Sequence, residues 1–308
     1  MTSSASGTGP GGRTDGDGGD GGDGRDAGTV RVLTWNVWWR FGDWRARRDA
    51  LLAVLERERP DVVCLQEVWA TAEENLAEQL AERLGMSAAW SPSPAPQRWQ
   101  RRLAWTGEDA EDPAGVEFGN AVLSRWPLRE TRVADLPTGG GEPEGRTALQ
   151  VLVEAPGRLL PVTTTHLNSS PAESAVRCEQ VRALVRFVAE RRDRSWYPPV
   201  LTGDFNAVPE SDEVRLACGY QTAGPVEGFV LLDSWRFAEP GDPGLSWDRR
   251  NPWVARVHQP SARIDYVLVG LTPFTGEGAV LGARLAGTEP EDGVWPSDHA
   301  AVVVDLRA

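Results

Sequence analysis

Six times along this chain an apolar run ends on, or abuts, an acid, an amide or a histidine: Asn36, Glu67, His166 with Asn168, Asp204 with Asn206, Asp265, and Asp298 with His299. These are the side chains of proton transfer and hard-cation binding. An ionised carboxylate is acceptor-only, an amide both donates and accepts, and an imidazole changes charge near neutral pH. Oxygen ligands suit Mg²⁺ or Mn²⁺. A carboxylate beside a histidine fixes its tautomer, which makes Asp265 the expected partner of His299. The chain has three histidines, and His166 and His299 fall in this set; His258, in the loop-like Val257-His258-Gln259-Pro260, takes no role.

The centre of the pattern is Gly203-Asp204-Phe205-Asn206, after the apolar Pro199-Val200-Leu201-Thr202. The apolar run reads as a buried strand, and a period of two puts Asp204 and Asn206 on one side of it. Taken alone the tetrapeptide reads first as a turn, because Gly, Asp and Asn are the usual turn residues. The other five positions change that weighting.

The elements that must carry these residues follow from apolar periodicity. Val30 to Asn36 and Asp61 to Glu67 read as strands, the second ending on Glu67. Between them Asp43 caps a helix whose apolar face is Leu51, Leu52, Val54 and Leu55 and which Pro60 closes. Thr71-Ala72-Glu73-Glu74 has the capping-box pattern of a second helix start. Gly119 to Ser124 is a strand, and Thr147 to Glu154 with Leu159 to His166 form a hairpin around Ala155-Pro156-Gly157. Ser170-Pro171-Ala172-Glu173 opens a helix running to about Arg194, and 211 to 218 gives a short one. Arg263 to Val269 and Ala300 to Leu306 are late strands. Many strands follow one another directly, so the expectation is packed sheets with outer helices instead of strict βαβ alternation.

Residues 1–28 differ in kind: Gly, Asp, Ser and Thr dominate without apolar periodicity, which predicts a disordered tail ahead of one domain over 29–308. The tail lacks a secretory pattern and no later run reaches a membrane span; a cytoplasmic location is expected. The net charge of −13 is a poor electrostatic footprint for tight nucleic-acid binding, though a local basic groove with divalent metals would still serve a nuclease. Cys64, Cys178 and Cys218 are odd in number and widely spaced, which reads as buried free thiols.

Thr34-Trp35-Asn36, Gln66-Glu67-Val68, Gly119 to Arg125, Thr165-His166-Leu167-Asn168, Gly203-Asp204-Phe205-Asn206, Arg263-Ile264-Asp265-Tyr266 and Ser297-Asp298-His299 together resemble the motifs of the endonuclease/exonuclease/phosphatase superfamily, in that family's order. The resemblance implies a four-layer α/β sandwich, two packed mixed β-sheets flanked by helices. It also implies divalent-metal-dependent hydrolysis of a phosphodiester or phosphomonoester, usually with Mg²⁺. By the resemblance, Glu67 looks like the principal metal ligand, with Asn36 beside it and Asp298 at metal or phosphate. Asp204 would orient or activate water, and Asn206 and His166 would hold phosphate oxygens or the leaving group. His299, held by Asp265, would act as base or phosphate donor.

Trp38 stands where the abasic-site endonuclease branch carries Asp or Asn, and His166 where it tends to have Tyr. Both departures point to the branch similar to pancreatic deoxyribonuclease, sphingomyelinase and inositol-phosphate phosphatases. The implied partner is a phosphate-ester substrate, nucleic acid or lipid head group among the choices, without membrane insertion. The alternatives are a metal-dependent endonuclease on DNA or RNA, and an inactive binding protein on the same fold. Trp38, Trp39, Trp69 and Trp295 lie near motif residues, as core packing or as an aromatic rim. The loops 91–117, 137–145 and 239–262 are expected to set the substrate; Arg98, Arg101 and Arg102 in the first read as a solvated face before a phosphate clamp.

Overall fold

Strand alternation decides which residues reach the site. The computed structural model describes residues 28–99, 101, 114–140 and 143–308, so the expected tail, apart from Gly28, and Arg102 lie outside the described residues. One sheet contains β1 (Thr29–Asn36), β2 (Val62–Ala70), β3 (Ser87–Pro92), β4 (Glu117–Ser124), β11 (Val280–Ala286) and β12 (Ala301–Arg307), in the order β11-β12-β1-β2-β4-β3. The other contains β5 (Leu128–Asp135), β6 (Thr147–Ala155), β7 (Arg158–His166), β8 (Val200–Asp204), β9 (Leu231–Asp233) and β10 (Asp265–Gly270), in the order β5-β6-β7-β8-β10-β9. Both sheets are mixed: β1 runs parallel to β2 and β7 to β8, while β2–β4 and β8–β10 are antiparallel.

On β1, Leu33 and Trp35 face out to α1 (Trp44–Glu58) and α2 (Leu76–Leu84), meeting Leu51, Leu55, Leu76 and Leu80. Val30 and Val32 face in, against Val151, Val162, Val200 and Val267 of the second sheet. That sheet's outer face, with Leu201, Tyr266 and Leu268, is covered by Val181, Leu184 and Val185 of α3 (Ser174–Ala189) and by Val214 and Ala217 of α4 (Asp212–Cys218). The result is the expected four-layer sandwich. Burying such faces is worth roughly 1.5–3 kcal/mol per large apolar side chain.

The inter-sheet layer changes character along its length. Past the valines come Thr34, Gln66, Thr164 and Thr202, all buried. The Gln66 amide crosses the gap, donating to Thr34 Oγ1 at 3.0 Å and Thr164 Oγ1 at 2.8 Å. One step further lie Asn36, His166, Asp204 and Asp265. In register, His166 pairs with Asp204 and Asp204 with Asp265, so three chemical side chains sit in one row across adjacent strands. Gly203 makes the close pairing possible: its φ is +144°, and a Cβ there would overlap the Thr165 carbonyl.

Several sequence expectations are corrected. Glu67 does not end β2; the strand continues to Ala70, and its pairing with β4 shifts between Leu65 and Val68. Thr71-Ala72-Glu73-Glu74 is a turn in which Thr71 Oγ1 accepts from the Glu73 and Glu74 amides, while α2 is capped by Asn75, which accepts from Ala77 N. Asp43 does cap α1, accepting from Ala46 N. The α3 helix ends at Ala189, well before Arg194, and the Glu173 carboxylate accepts from Asn168 instead of closing a capping box. Edge strands β3, β5, β9 and β11 have no counterpart in the motif-led reading. The three cysteines are free, with Cys64 and Cys218 buried and Cys178 half-buried.

Candidate active site

Asp204 is the hub. Its Oδ2 accepts from Asn36 Nδ2 at 3.0 Å and lies 3.4 Å from His166 Nε2 and 3.8 Å from His299 Nε2. Its Oδ1 accepts from the backbone N–H of Asn206 at 2.9 Å. That last bond is an Asx turn, and Asn206 adopts a left-handed φ of 48° to make it. Asp204 and Asn206 therefore converge through a turn after the strand, and not through the two-residue period expected from sequence. The Asn206 amide then donates to the Leu167 carbonyl at 3.2 Å and stands 3.1 Å from His166 Nε2. With an amide N–H aimed at Nε2, that nitrogen accepts and the His166 proton belongs on Nδ1, which faces Glu67 Oε1 at 3.8 Å.

Glu67 arrives by a different device. Val62, Cys64 and Gln66 point inward, so regular alternation would send Glu67 to the outer face. Glu67 instead takes a left-handed φ of 56° inside the bulge, and Asn36 Nδ2 reaches its Oε1 at 3.2 Å. A bulky left-handed residue costs on the order of 1–3 kcal/mol, and such strain collects at functional sites.

On the far side, His299 Nδ1 is 2.8 Å from Asp265 Oδ2. Trp35 Nε1 donates to the His299 carbonyl at 2.8 Å, and the His299 amide donates to Ser297 Oγ at 3.2 Å. Burial by itself would lower the His299 imidazole; Asp265, Asp204 and Asp298 outweigh it and hold the ring well above its ordinary value. Burial, then the neighbouring Asp265 charge, pushes the Asp204 carboxyl up to about 7.

The structure thus brings Asn36, Glu67, His166, Asp204, Asn206, Asp265 and His299 into one connected cluster. Asp298 is half-buried at its edge, with Oδ1 3.4 Å from Ser297 Oγ. Asn168 turns away toward Glu173 and Gln180. Among the described residues, the His, Cys, Asp and Glu donors that lie close enough together to surround a metal ion are those of Asp204, Asp265 and His299, a different set from the expected Asn36, Glu67 and Asp298. His299 offers the poorer ligand atom of that group, because its Nδ1 is committed to Asp265 at 2.8 Å. The carboxylate oxygens of Glu67 and Asp204 remain the better donors. Four carboxyl groups, Glu67, Asp204 and Asp265 buried and Asp298 half-buried, against one imidazole leave acidic oxygens in surplus, and Asp265 Oδ1 is buried without a hydrogen-bond partner. That surplus suits a divalent cation.

The tryptophans divide. Trp39 and Trp69 are fully buried in the core, so they form no rim. Trp38 and Trp295 are half-buried, and Trp295 shares a small cavity beside the site with Asp298, Asp248 and Arg250. Arg98 is not a freely solvated charge: it pairs at 2.6 Å with the buried Glu144, which also binds Arg146. Sequence reasoning missed Arg47 and Gln66 as supports. A polar residue at a core-facing position was the available signal for both.

The family model described as Endonuclease/Exonuclease/phosphatase family matches residues 33–299. An endonuclease/exonuclease/phosphatase structure from Beutenbergia cavernae is 28% identical, covering 91% of this chain and 72% of that one, with a TM-score of 0.65. The human Nocturnin catalytic domain with bound sulfate (21% identity, 90% and 94% covered, TM-score 0.65) shares the fold. So does D. rerio TDP2 complexed with a single-strand DNA product (19%, 92% and 100%, 0.67). The uncharacterized Escherichia coli protein YbhP is 29% identical over 190 residues, 58% of this chain and 67% of its own.

Proposed function

The chain belongs to the endonuclease/exonuclease/phosphatase family, whose members are hydrolases of phosphoester bonds, and from that premise we propose that it hydrolyses a phosphodiester or phosphomonoester with the help of a divalent cation. The observation that carries the reading is the convergence on Asp204: one carboxylate oxygen within 3.0–3.8 Å of Asn36, His166 and His299.

The oxygens of Glu67 and Asp204, with Asp298 and Asn36 alongside, would hold Mg²⁺ or Mn²⁺. When bound, the cation neutralises the non-bridging phosphate oxygens and eases departure of the leaving oxygen. The chain's own residues do the rest. Asp204, ringed by Asn36, His166 and His299, would orient an attacking water and accept its proton. Asn36 Nδ2 holds that carboxylate still. His299, kept protonated and aimed by Asp265, donates to a phosphoryl oxygen. Asn206 would donate to a second phosphoryl oxygen by exchanging its contact with the His166 ring, 3.1 Å away, for that oxygen.

The same geometry accepts a nucleic-acid phosphodiester, and D. rerio TDP2 is described with a DNA product; the acidic net charge favours a smaller or lipid ester. Hydrolysis of plasmid DNA, RNA, sphingomyelin, inositol polyphosphates and bis-p-nitrophenyl phosphate, each with Mg²⁺, Mn²⁺ or EDTA, tests the reading. Metal-dependent nicking of plasmid assigns a nuclease. Turnover confined to small or lipid esters assigns the other branch. No turnover of any substrate favours a binding protein.

A further inference from the structure

Arg47 lies in the first turns of α1, is buried, and spends its guanidinium on backbone carbonyls. Nε donates to Phe41 O at 2.9 Å, Nη1 to Val37 O at 2.9 Å and Pro296 O at 3.0 Å, and Nη2 to Trp38 O and Trp39 O at 2.9 Å each. A guanidinium has five N–H donors in a fixed fork, and each is matched by a carbonyl. Four of these belong to the turn after Asn36; the fifth precedes Ser297-Asp298-His299.

The turn it grips is strained. Trp38 and Trp39 are consecutive left-handed residues, φ 57° and 37°, an uncommon state for bulky side chains. The strain has a local product: it brings Trp38 N to Asn36 Oδ1 at 3.0 Å, which fixes the amide so that Nδ2 faces Glu67 and Asp204. It also lets Trp39 N donate to Glu67 O at 3.0 Å, tying the turn to the bulge. At the other end, Ser297 Oγ donates to Asn36 O at 2.6 Å and accepts from His299 N.

We propose that Arg47 is a positioning residue for the phosphoesterase chemistry: with Ser297 it clips the Asn36 turn to the Asp298-His299 segment and sets the geometry of both. The inference rests on the function proposed above. Lysine cannot substitute, because an ammonium has three donors and no planar fork.

The test compares Arg47→Lys and Arg47→Ala with the wild-type chain below the melting temperature of each. Displacing Asn36 and His299 by about 1 Å lowers kcat by about 10²-fold while KM stays close to wild type, and guanidinium ion restores part of kcat to Arg47→Ala but not to Arg47→Lys. The Trp35 indole N–H resonance, which reads the His299 carbonyl, moves in both variants. A folded Arg47→Lys with unchanged kcat and an unmoved Trp35 resonance overturns the proposal and leaves Arg47 a stabilising residue. If Arg47→Lys does not fold, Ser297→Ala cuts the second strap, and unchanged kcat there overturns it equally. Absence of turnover in the wild-type chain refutes the proposed function alone; the Trp35 resonance still decides whether Arg47 positions the segment.

Discussion

His299 is wedged between two buried carboxylates: its Nδ1 lies 2.8 Å from Asp265 Oδ2 and its Nε2 3.8 Å from Asp204 Oδ2. Asp265 aims the ring and supports its charge, and Asp204 lies on the ring's other side. Asp265→Asn preserves shape but presents an uncharged group to Nδ1. It lowers kcat by about 10²-fold or more, and because an anion that raises the His299 pKa is gone, the alkaline limb of the pH–rate profile moves to lower pH. An alkaline limb that stays in place separates Asp265 from His299 function.

The Asp204 carboxyl, pushed up to about 7, has a consequence for stability. In the unfolded chain it titrates near ~4, so between these values the folded state binds the extra proton. Stability then falls as pH rises from about 4 to about 7, in the sense opposite to a salt-bridged aspartate. Asp204→Asn removes the penalty: measured against wild type by thermal melts in EDTA, its relative stability grows from pH 4 to pH 8, while activity is lost. A stability difference that is flat across that range contradicts the assignment.

Glu67 combines function and strain. Glycine takes a φ of 56° freely, so Glu67→Gly folds with a melting temperature no lower than Glu67→Ala, and both are inactive. His299→Ala is likewise inactive and folded. Near-normal turnover in folded Glu67→Ala and His299→Ala would remove both from the site.

The tryptophans separate packing from binding. Trp39 is buried and its Nε1 donates to Glu117 O at 2.8 Å. Trp39→Ala costs about 3–5 kcal/mol of stability. Half-buried Trp295, beside Asp298, costs little on truncation, and Trp295→Ala raises KM. A KM that stays constant in a folded Trp295→Ala rejects a substrate contact there.

The polar residues at strand ends were legible because each interrupts an apolar run, and Asn36, His166, Asp204, Asp265 and His299 were placed from that signal. The layers were legible too, since Leu33 and Val32 alternate toward different cores. What the sequence did not disclose are the departures from regular backbone. Glu67 looks like a strand end because nothing local marks a non-glycine bulge, and Asn206 looks like a strand residue because its turn depends on the Asp204 side chain. Arg47 reads as one arginine among several on a charged helix; four of its acceptors come from the irregular turn just before that helix and the fifth, Pro296, from a loop far along the chain. The edge strand β5 alternates between half-buried and exposed residues and lacks an apolar run to betray it.

The most direct measurement is turnover of bis-p-nitrophenyl phosphate by the full chain, first in EDTA, then with Mg²⁺ or Mn²⁺ restored, in wild type and Glu67→Gly. The account predicts activity that vanishes in EDTA, returns with the cation in wild type, and does not return in Glu67→Gly. Turnover that persists in EDTA, or that survives the loss of Glu67, would contradict it.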